Sequence, residues 1–586
     1  MKSLNYLNKY FLKYKWRLLL GIFFIGISNY FAIDSFIYAR KAVDFINSNS
    51  SNKDNDFILN HLLQYAAIII GLAILSGVFL FFTRQTIIVM SRLIEFDLKN
   101  EIYAKYQQLD TAFYKRNNTG DLMNRISEDV GRVRMYLGPA VMYLLNSFFR
   151  FILIITAMLS VNYDLTIYVL LPLPVLAIAI YIVSNIINTK GTLIQEQLSK
   201  ITTQAQEAFS GIRVLKAYGR EKHAVDEFEL HSIEYRKLSM GLVKTESLFQ
   251  PIMILLIGFS TVFIVYKGGM LAIEEKISYG NILEFVLYVN ALTWPIASLG
   301  WVTSLIQRAA VSQNRINKFL EIPFEIKNSI ESNTNLMGDI EFKNVNFTYP
   351  DSGIQALKDI SFSVKKSSSV AIIGRTGSGK STIANLICRL YDADTGEILI
   401  NGNNIKKINL HGIRSEIGYV PQEVFLFSDT IKNNIGFSLD NYDDTIIEEA
   451  AKDAAIYSNI MDFPLKFETI VGERGVTLSG GQKQRISIAR AIIKKPQLLI
   501  LDDCLSAIDT ETEDKILNNF KKIMHGKTTI IISHRVSSVM DADIIIVLDG
   551  GQIIEQGNHS DLINKKGTYF KLFKLQQLEK EIKAYS

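Results

Sequence analysis

The sequence predicts an α-helical membrane domain of six transmembrane helices with long cytoplasmic extensions, followed by an α/β domain built around a phosphate-binding loop. Three observations carry this reading. Six apolar stretches are long enough to cross about 30 Å of hydrocarbon as helices. Near residue 320 the pattern changes from long apolar runs to short apolar strands, Gly-rich turns and charged helices. A glycine-rich G-x-x-x-x-G-K-S segment then follows an apolar strand and precedes a helix. A chain of 586 residues is too long for one ordinary domain at roughly 150 residues each, and the expected division is 1–320, a linker at 321–338, and 339–580. A net charge of +5 is small for this length and gives no case for a nucleic-acid partner. The two cysteines, Cys388 and Cys504, lie far apart in the soluble half and are expected to be reduced core residues.

The expected spans are 16–38, 61–83, 137–160, 165–187, 248–271 and 282–306. The first follows KYFLKYKWR, whose basic and aromatic residues suit an interfacial helix. It lacks a small-residue cleavage site and is long for a signal peptide, so it is expected to remain as an anchor. Connections 84–136 and 188–247 each carry nine Lys or Arg, whereas SVNYD between spans three and four carries none. The basic connections are therefore assigned to the cytoplasm, together with both termini. Their helical pattern extends the spans well below the bilayer, and each holds a Gly-punctuated turn, in Phe113–Val130 and Glu207–Glu221.

Polar residues inside apolar runs are costly and mark a pathway or a pair. Arg84 and Asp34 fit snorkelling at span ends. Asn146 and Arg150 in the third span are candidates for a substrate pathway. Arg40 and Lys41, near the outer end of the first span, run against the charge rule. LPLP, Leu171–Pro174, is expected to bend or unwind the fourth span, because each proline removes a backbone donor.

The soluble half opens its chemistry at VAIIGRTGSGKSTIANLI. Gly374, Arg375, Thr376, Gly377, Ser378, Gly379, Lys380, Ser381 and Thr382 form a loop whose backbone N–H groups can close on phosphates. Lys380 neutralises phosphate oxygens, and Ser381 offers a hydroxyl to Mg²⁺. LLILDDCLSAID supplies the complement: Leu498–Leu501 read as a buried parallel strand, and Asp502 at its carboxyl end is suited to hold Mg²⁺ opposite Ser381.

VTLSGGQKQRISIARA, Val476–Ala491, resembles the signature of ATP-binding cassette (ABC) ATPases. The resemblance covers essentially the whole chain, since six spans followed by one cassette is the layout of an ABC exporter half-transporter. It implies an α/β nucleotide-binding domain of ABC ATPase type, with ATP and Mg²⁺ as its ligands. Further motifs fit: Tyr349 in NFTYP resembles the aromatic that stacks on adenine, Gln422 in GYVPQE the glutamine loop that contacts Mg²⁺, and His534 in IISHR the switch histidine. Ser506, Ala507, Ile508 and Asp509 resemble the loop linking two cassettes. TIVGERG, Thr469–Gly475, is similar to a stretch typical of exporters, and TGDLMNRISEDV to the first coupling loop of multidrug and lipid exporters. By the same resemblance two cassettes face head to tail, and Leu478, Ser479, Gly480, Gly481 and Gln482 of one chain complete the ATP site of the other.

One residue departs from the family pattern. Most active members carry Glu after the Mg²⁺ aspartate, and this chain carries Asp503. Losing one methylene withdraws the carboxylate by about 1.5 Å, whereas a general base must lie within about 3 Å of its water. With Lys380, Gln422, His534 and Asp503 as the catalytic set, slow hydrolysis at this site is expected. The departure resembles the degenerate site of heterodimeric exporters and favours a heterodimer with a related half-transporter over a homodimer. The resulting expectation is a multi-pass protein of the bacterial cell (inner) membrane that exports amphipathic drugs or lipids by alternating access. The alternative is a regulatory half that binds ATP with little turnover. No peptidase-like segment precedes the first span, so processing of leader peptides is not expected.

Overall fold

The computed structural model describes residues 2–49, 54–328, 338–472, 477–504, 519 and 522–585. Its contacts divide the chain into two compact units. The first comprises Met1–Gln107 with Gly120–Ile322, and the second Gln108–Thr119 with Pro323–Ser586.

The first unit contains six helices long and apolar enough to cross a membrane: α1 (Lys15–Ser48), α2 (Asn55–Gln108), α4 (Thr119–Val161), α5 (Tyr163–Ser210), α6 (Glu221–Ile273) and α7 (Tyr279–Leu320). Several are more than twice the roughly 20 residues a bilayer requires, so they continue well past any hydrocarbon core. LPLP does not unwind α5: Leu171 keeps helical torsions (φ −56°, ψ −39°), and its N–H still donates to the Ile167 carbonyl at 3.1 Å. Arg84, expected at the end of the second span, lies where the helix itself continues. It opens a π-helical turn, Arg84–Ile88, inside the continuous α2.

Arg40 and Lys41, which the charge rule left unexplained, have local partners. Arg40 Nη1 lies 3.2 Å from Glu284 Oε2 on α7. Glu284 is 1% exposed and also accepts hydrogen bonds from Asn281 Nδ2 (3.0 Å) and the Tyr288 hydroxyl (2.8 Å). One helical turn beyond Arg40, Asp44 accepts from the Ser278 hydroxyl and from Gly280 N–H, both at 2.8 Å. It thereby takes up an otherwise unsatisfied donor at the start of α7. Gly280 makes this approach possible, because a Cβ there would stand 2.5 Å from the Arg40 carbonyl oxygen. Lys41 places its ammonium 4.4 Å from the centre of the Tyr38 ring.

At the other end of this unit, the N-terminal segment is tied to α2. Lys9 pairs with Glu101 at 2.7 Å and Lys13 with Asp97 at 2.6 Å, while Tyr6 and Tyr10 donate to the same Glu101. The acids of TGDLMNRISEDV hold α4 to α7: buried Asp129 accepts from Ser312 (2.7 Å), and Asp121 lies 3.1 Å from Arg315.

The second unit has two sheets. Strands β1 (Ile340–Thr348), β2 (Gln355–Val364), β4 (Thr395–Ile400) and β5 (Asn403–Asn404) form an antiparallel sheet in the order β2-β1-β4-β5. The larger sheet runs β10-β9-β3-β8-β7-β6, with β3 (Ser369–Gly374), β6 (Ile417–Val420), β7 (Leu498–Asp502), β8 (Thr528–Ser533), β9 (Ile544–Asp549) and β10 (Gln552–Gly557). All its neighbours are parallel except β9 and β10. The near-continuous Val, Ile and Leu of β3 and β7 follow from burial on both faces. Helix α8 (Lys380–Ile387) follows β3, and a separate helical core, which includes Leu426, Ile435, Ile447, Ile460 and Leu478, packs around helix α9 (Gly480–Ile492). The short helix α3 (Thr111–Arg116) also belongs here: Ala112 lies in the core with Phe347 and Tyr391, and Arg116 pairs with Glu325 at 3.2 Å.

Candidate functional site

In a parallel sheet, groups on the carboxyl ends of adjacent strands stand side by side, about 4.8 Å apart. The order β3-β8-β7 puts three motif-bearing ends in one row: the phosphate loop after Gly374, His534 directly after β8, and Asp502 and Asp503 at the end of β7. Residues separated by more than a hundred positions meet here because of strand order alone.

The phosphate loop has the shape its glycines require. A Cβ on Gly374 would lie 2.1 Å from the Leu548 carbonyl oxygen, and one on Gly379, at φ +96°, 2.3 Å from that of Ala356. Any side chain at either position would push the loop out of place. Arg375, Thr376 and Gly377 are exposed, whereas the Ser378 hydroxyl is buried with no hydrogen-bond partner among the described residues. Lys380 Nζ donates to the carbonyls of Gly374 (2.9 Å) and Arg375 (2.8 Å). Burial lowers the affinity of this ammonium for its proton, and the carboxylates of Asp503 and Asp502 push it back up.

Asp502 is 2% exposed, and its hydrogen-bond partner is the Ser381 hydroxyl at 2.9 Å. Burial pushes its carboxyl up to about 6, Asp503 adds to that, and Ser381 and Lys380 oppose it. A buried acid in this condition lacks a strong counter-charge, and an oxygen-seeking divalent cation fits between it and Ser381.

Asp503 is held differently. Its carboxylate lies 2.8 and 3.1 Å from His534 Nδ1, and its N–H donates to the Ile532 carbonyl on β8 at 2.8 Å. The backbone is left-handed here, at φ +50°, a conformation Asp tolerates better than most residues. On the other side, the Gln576 side chain grips the backbone around His534, donating to the His534 carbonyl at 2.8 Å and accepting from Val536 N–H at 2.7 Å. Gln576 lies on the C-terminal helix α10 (Thr568–Tyr585), and no motif in the sequence singles it out.

The remaining predicted residues lie apart from this row. Gln422 follows β6 at the sheet edge with an exposed side chain. The Tyr349 hydroxyl is 3.0 Å from the Thr382 hydroxyl. Its ring packs edge-on to Tyr391, with the Lys115 ammonium of α3 4.7 Å from the ring centre. Lys115 also escaped sequence reasoning, because its loop and Tyr349 are far apart in the chain. In the signature, Leu478 is buried in the helical core while Ser479 and Gly480 are exposed. Ser479 caps α9 reciprocally with Gln482: its hydroxyl accepts from Gln482 N–H at 3.2 Å, and its N–H donates to Gln482 Oε1 at 2.9 Å. Leu478 thus fixes the turn, and the serine and glycines present the start of a helix to solvent. No hydrogen bond links these residues to the phosphate loop of the same chain among the described residues. Ser506, Ala507, Ile508 and Asp509 lie outside the described residues, as does part of Thr469–Gly475.

Comparison with known proteins agrees with this arrangement. The family model for the ABC transporter transmembrane region matches residues 18–296, and the ABC transporter model matches residues 357–506. The chain is 35% identical over 534 residues to a probable multidrug resistance ABC transporter ATP-binding/permease protein, YheI, of Bacillus subtilis, covering 91% of each chain. It is 32% identical over 488 residues to an ATP-dependent lipid A-core flippase of Syntrophus aciditrophicus, covering 83% of this chain and 81% of that one. A solved structure of a bacterial Atm1-family ABC exporter with ATP bound superposes with a TM-score of 0.80 at 25% identity, over 96% of this chain and 98% of the other. With both modules in one polypeptide and relatives matched nearly end to end, the chain belongs to the ABC transporters as an integral-membrane exporter half-transporter carrying one transmembrane region and one ATP-binding cassette.

Proposed function

We propose that this chain is one half of an ATP-driven exporter that moves amphipathic compounds, drugs or lipids, out of the cytoplasm by alternating access. The row formed by the phosphate loop, His534 and the Asp502–Asp503 pair, in the same polypeptide as six membrane-length helices, carries the reading. Lys380, the loop N–H groups and the Ser378 hydroxyl bind the phosphates of ATP, and Tyr349 supports the adenine. Ser381, Asp502 and Gln422 hold Mg²⁺, which supplies positive charge against the phosphate oxygens. Asp503, oriented by His534, acts on the attacking water.

ABC exporters work as dimers of half-transporters. The Ser479-Gly480-Gly481 turn, exposed at Ser479 and Gly480, completes the partner's site, and Ser506–Asp509 line the contact between cassettes. The turn near Gly211 also suits a partner chain, since two large aromatics flank it, Phe209 at 76% and Tyr218 at 78% exposure. We assign the cassette and both termini to the cytoplasmic side of a bacterial inner membrane, and Asn146 and Arg150 to the substrate path. Vesicles holding the chain with its partner are expected to move a fluorescent amphiphile only with ATP, and Lys380→Ala to stop that movement. Nucleotide binding with no movement of any dye or lipid overturns the reading.

One observation favours a second arrangement. Asp at position 503 is a short base, as in a half that binds ATP with little turnover and supports the site of a related, Glu-bearing partner. Tagging this chain and identifying what co-purifies separates the two: a Glu-bearing relative supports the heterodimer, and the chain alone a homodimer.

A further inference from the structure

In the apolar C-terminal half of α4, Arg150 projects into the seam with α1. Its Nε donates to Asn29 Oδ1 at 3.2 Å, and Asn29 Nδ2 donates in turn to Asn146 Oδ1 at 2.7 Å. Asn29 is 2% exposed. Next to it, Ser28 and Ser76 exchange hydrogen bonds through their hydroxyls and carbonyls, each 2.9 Å long, and extend the polar belt to α2. This belt sits between two apolar clusters, one built on Ile25, Ile87 and Met142 and the other including Ile33, Ile154 and Met158.

The guanidinium has no carboxylate partner among the described residues, and none of its other nitrogens makes a hydrogen bond there. The apolar spans offer few acids. Glu284 is taken up by Arg40, Asn281 and Tyr288. Asp34 stands five residues along α1 from Asn29, about 7.5 Å further along the axis. Keeping an unpaired charge at mid-span is costly, and a planar five-donor fork with one donor used is shaped to receive a carboxylate or phosphate.

We propose that Arg150, oriented by Asn29 and supported through it by Asn146, is the head-group site for an anionic amphiphile, a ligand with a carboxylate or phosphate head on an apolar tail. The inference rests on assigning these residues to the substrate path and gives that path a charge preference. The head pairs with the free edge of the guanidinium, and the tail lies against the apolar clusters above or below the belt.

The test uses the purified full chain with its co-purifying partner in neutral detergent, without ATP, so that it stands whether or not transport is found. The fluorescent fatty acid cis-parinarate and its methyl ester differ only in the charge of the head. Tighter binding of the acid is expected. Arg150→Gln should weaken the acid about tenfold and leave the ester unchanged, with Arg150→Lys falling between. In vesicles, labelled phosphatidic acid extends the test to a phosphate head against labelled phosphatidylcholine, and the ratio of their movement should fall in Arg150→Gln. Equal binding of acid and ester by the unaltered protein overturns the proposal. So does an equal loss of both in Arg150→Gln, which marks a structural role, or an Asp34→Asn variant that reproduces the Arg150→Gln loss, which marks an internal ion pair.

Discussion

Among the described residues, each half of the chain offers a contrast between a charge closed by partners and one left open. In the membrane unit Glu284 is enclosed by Arg40, Asn281 and Tyr288, while Arg150 meets a single amide oxygen among the described residues. In the cassette Asp503 is held by His534, while the more deeply buried Asp502 accepts one hydrogen bond, from a hydroxyl, among the described residues. A closed charge fixes geometry, joining α1 to α7 or setting the angle of a base. An open one has paid for desolvation with little return from the protein itself, and the return is proposed to come from a ligand.

The comparison can be broken most severely at Glu284. Glu284→Ala leaves Arg40 without its counter-charge and should cost about 3–5 kcal/mol, read as a large fall in the thermal midpoint of the purified assembly; a change no larger than that of Arg150→Gln would erase the distinction. Asp502→Asn should act in the opposite sense on stability and strongly on function. It relieves a buried charge, so the nucleotide-free midpoint holds or rises, while ATP turnover falls about 10²–10³-fold, the scale seen when one preorganised electrostatic contact is removed. Gly280→Ala sharpens the membrane side alone: its Cβ must displace the Arg40 carbonyl or Asp44, an overpacking of about 1–3 kcal/mol, measurable by the same melting curve. The smallest effect is expected at Gln576. Gln576→Ala loosens the backbone on both sides of His534 and should slow turnover by a few-fold, about one hydrogen bond's worth, with ATP binding intact.

Much of the cassette was legible because each motif sits at the end of a strand or the start of a helix, where its chemistry is local. Gly374 to Ser381 and the apolar run before Asp502 both announce their own backbone. The six spans were legible for the same reason, since length and apolarity need no partner to be read. What was not legible depends on distant pairs. Arg40 finds Glu284 across 244 positions, so in the sequence it appears only as a misplaced charge. Lys115 reaches Tyr349, and Gln576 the His534 backbone, through packing that leaves no periodic signal. How the Phe113–Val130 turn is shared out was not legible either: its residues up to Thr119 group with the cassette unit, whereas Asp121 and Asp129 bind α4 to α7.

The central claim is that this chain binds ATP at a well-formed row of strand ends whose turnover is held back by the short side chain of Asp503. Asp503→Glu in the purified assembly tests it most directly, by steady-state ATP hydrolysis at saturating nucleotide. The added methylene moves the carboxylate forward by about 1.5 Å, and turnover is predicted to rise at least tenfold, within the 10²–10⁴-fold range of a well-placed general base. An unchanged or lower rate, with ATP binding intact, would contradict the claim.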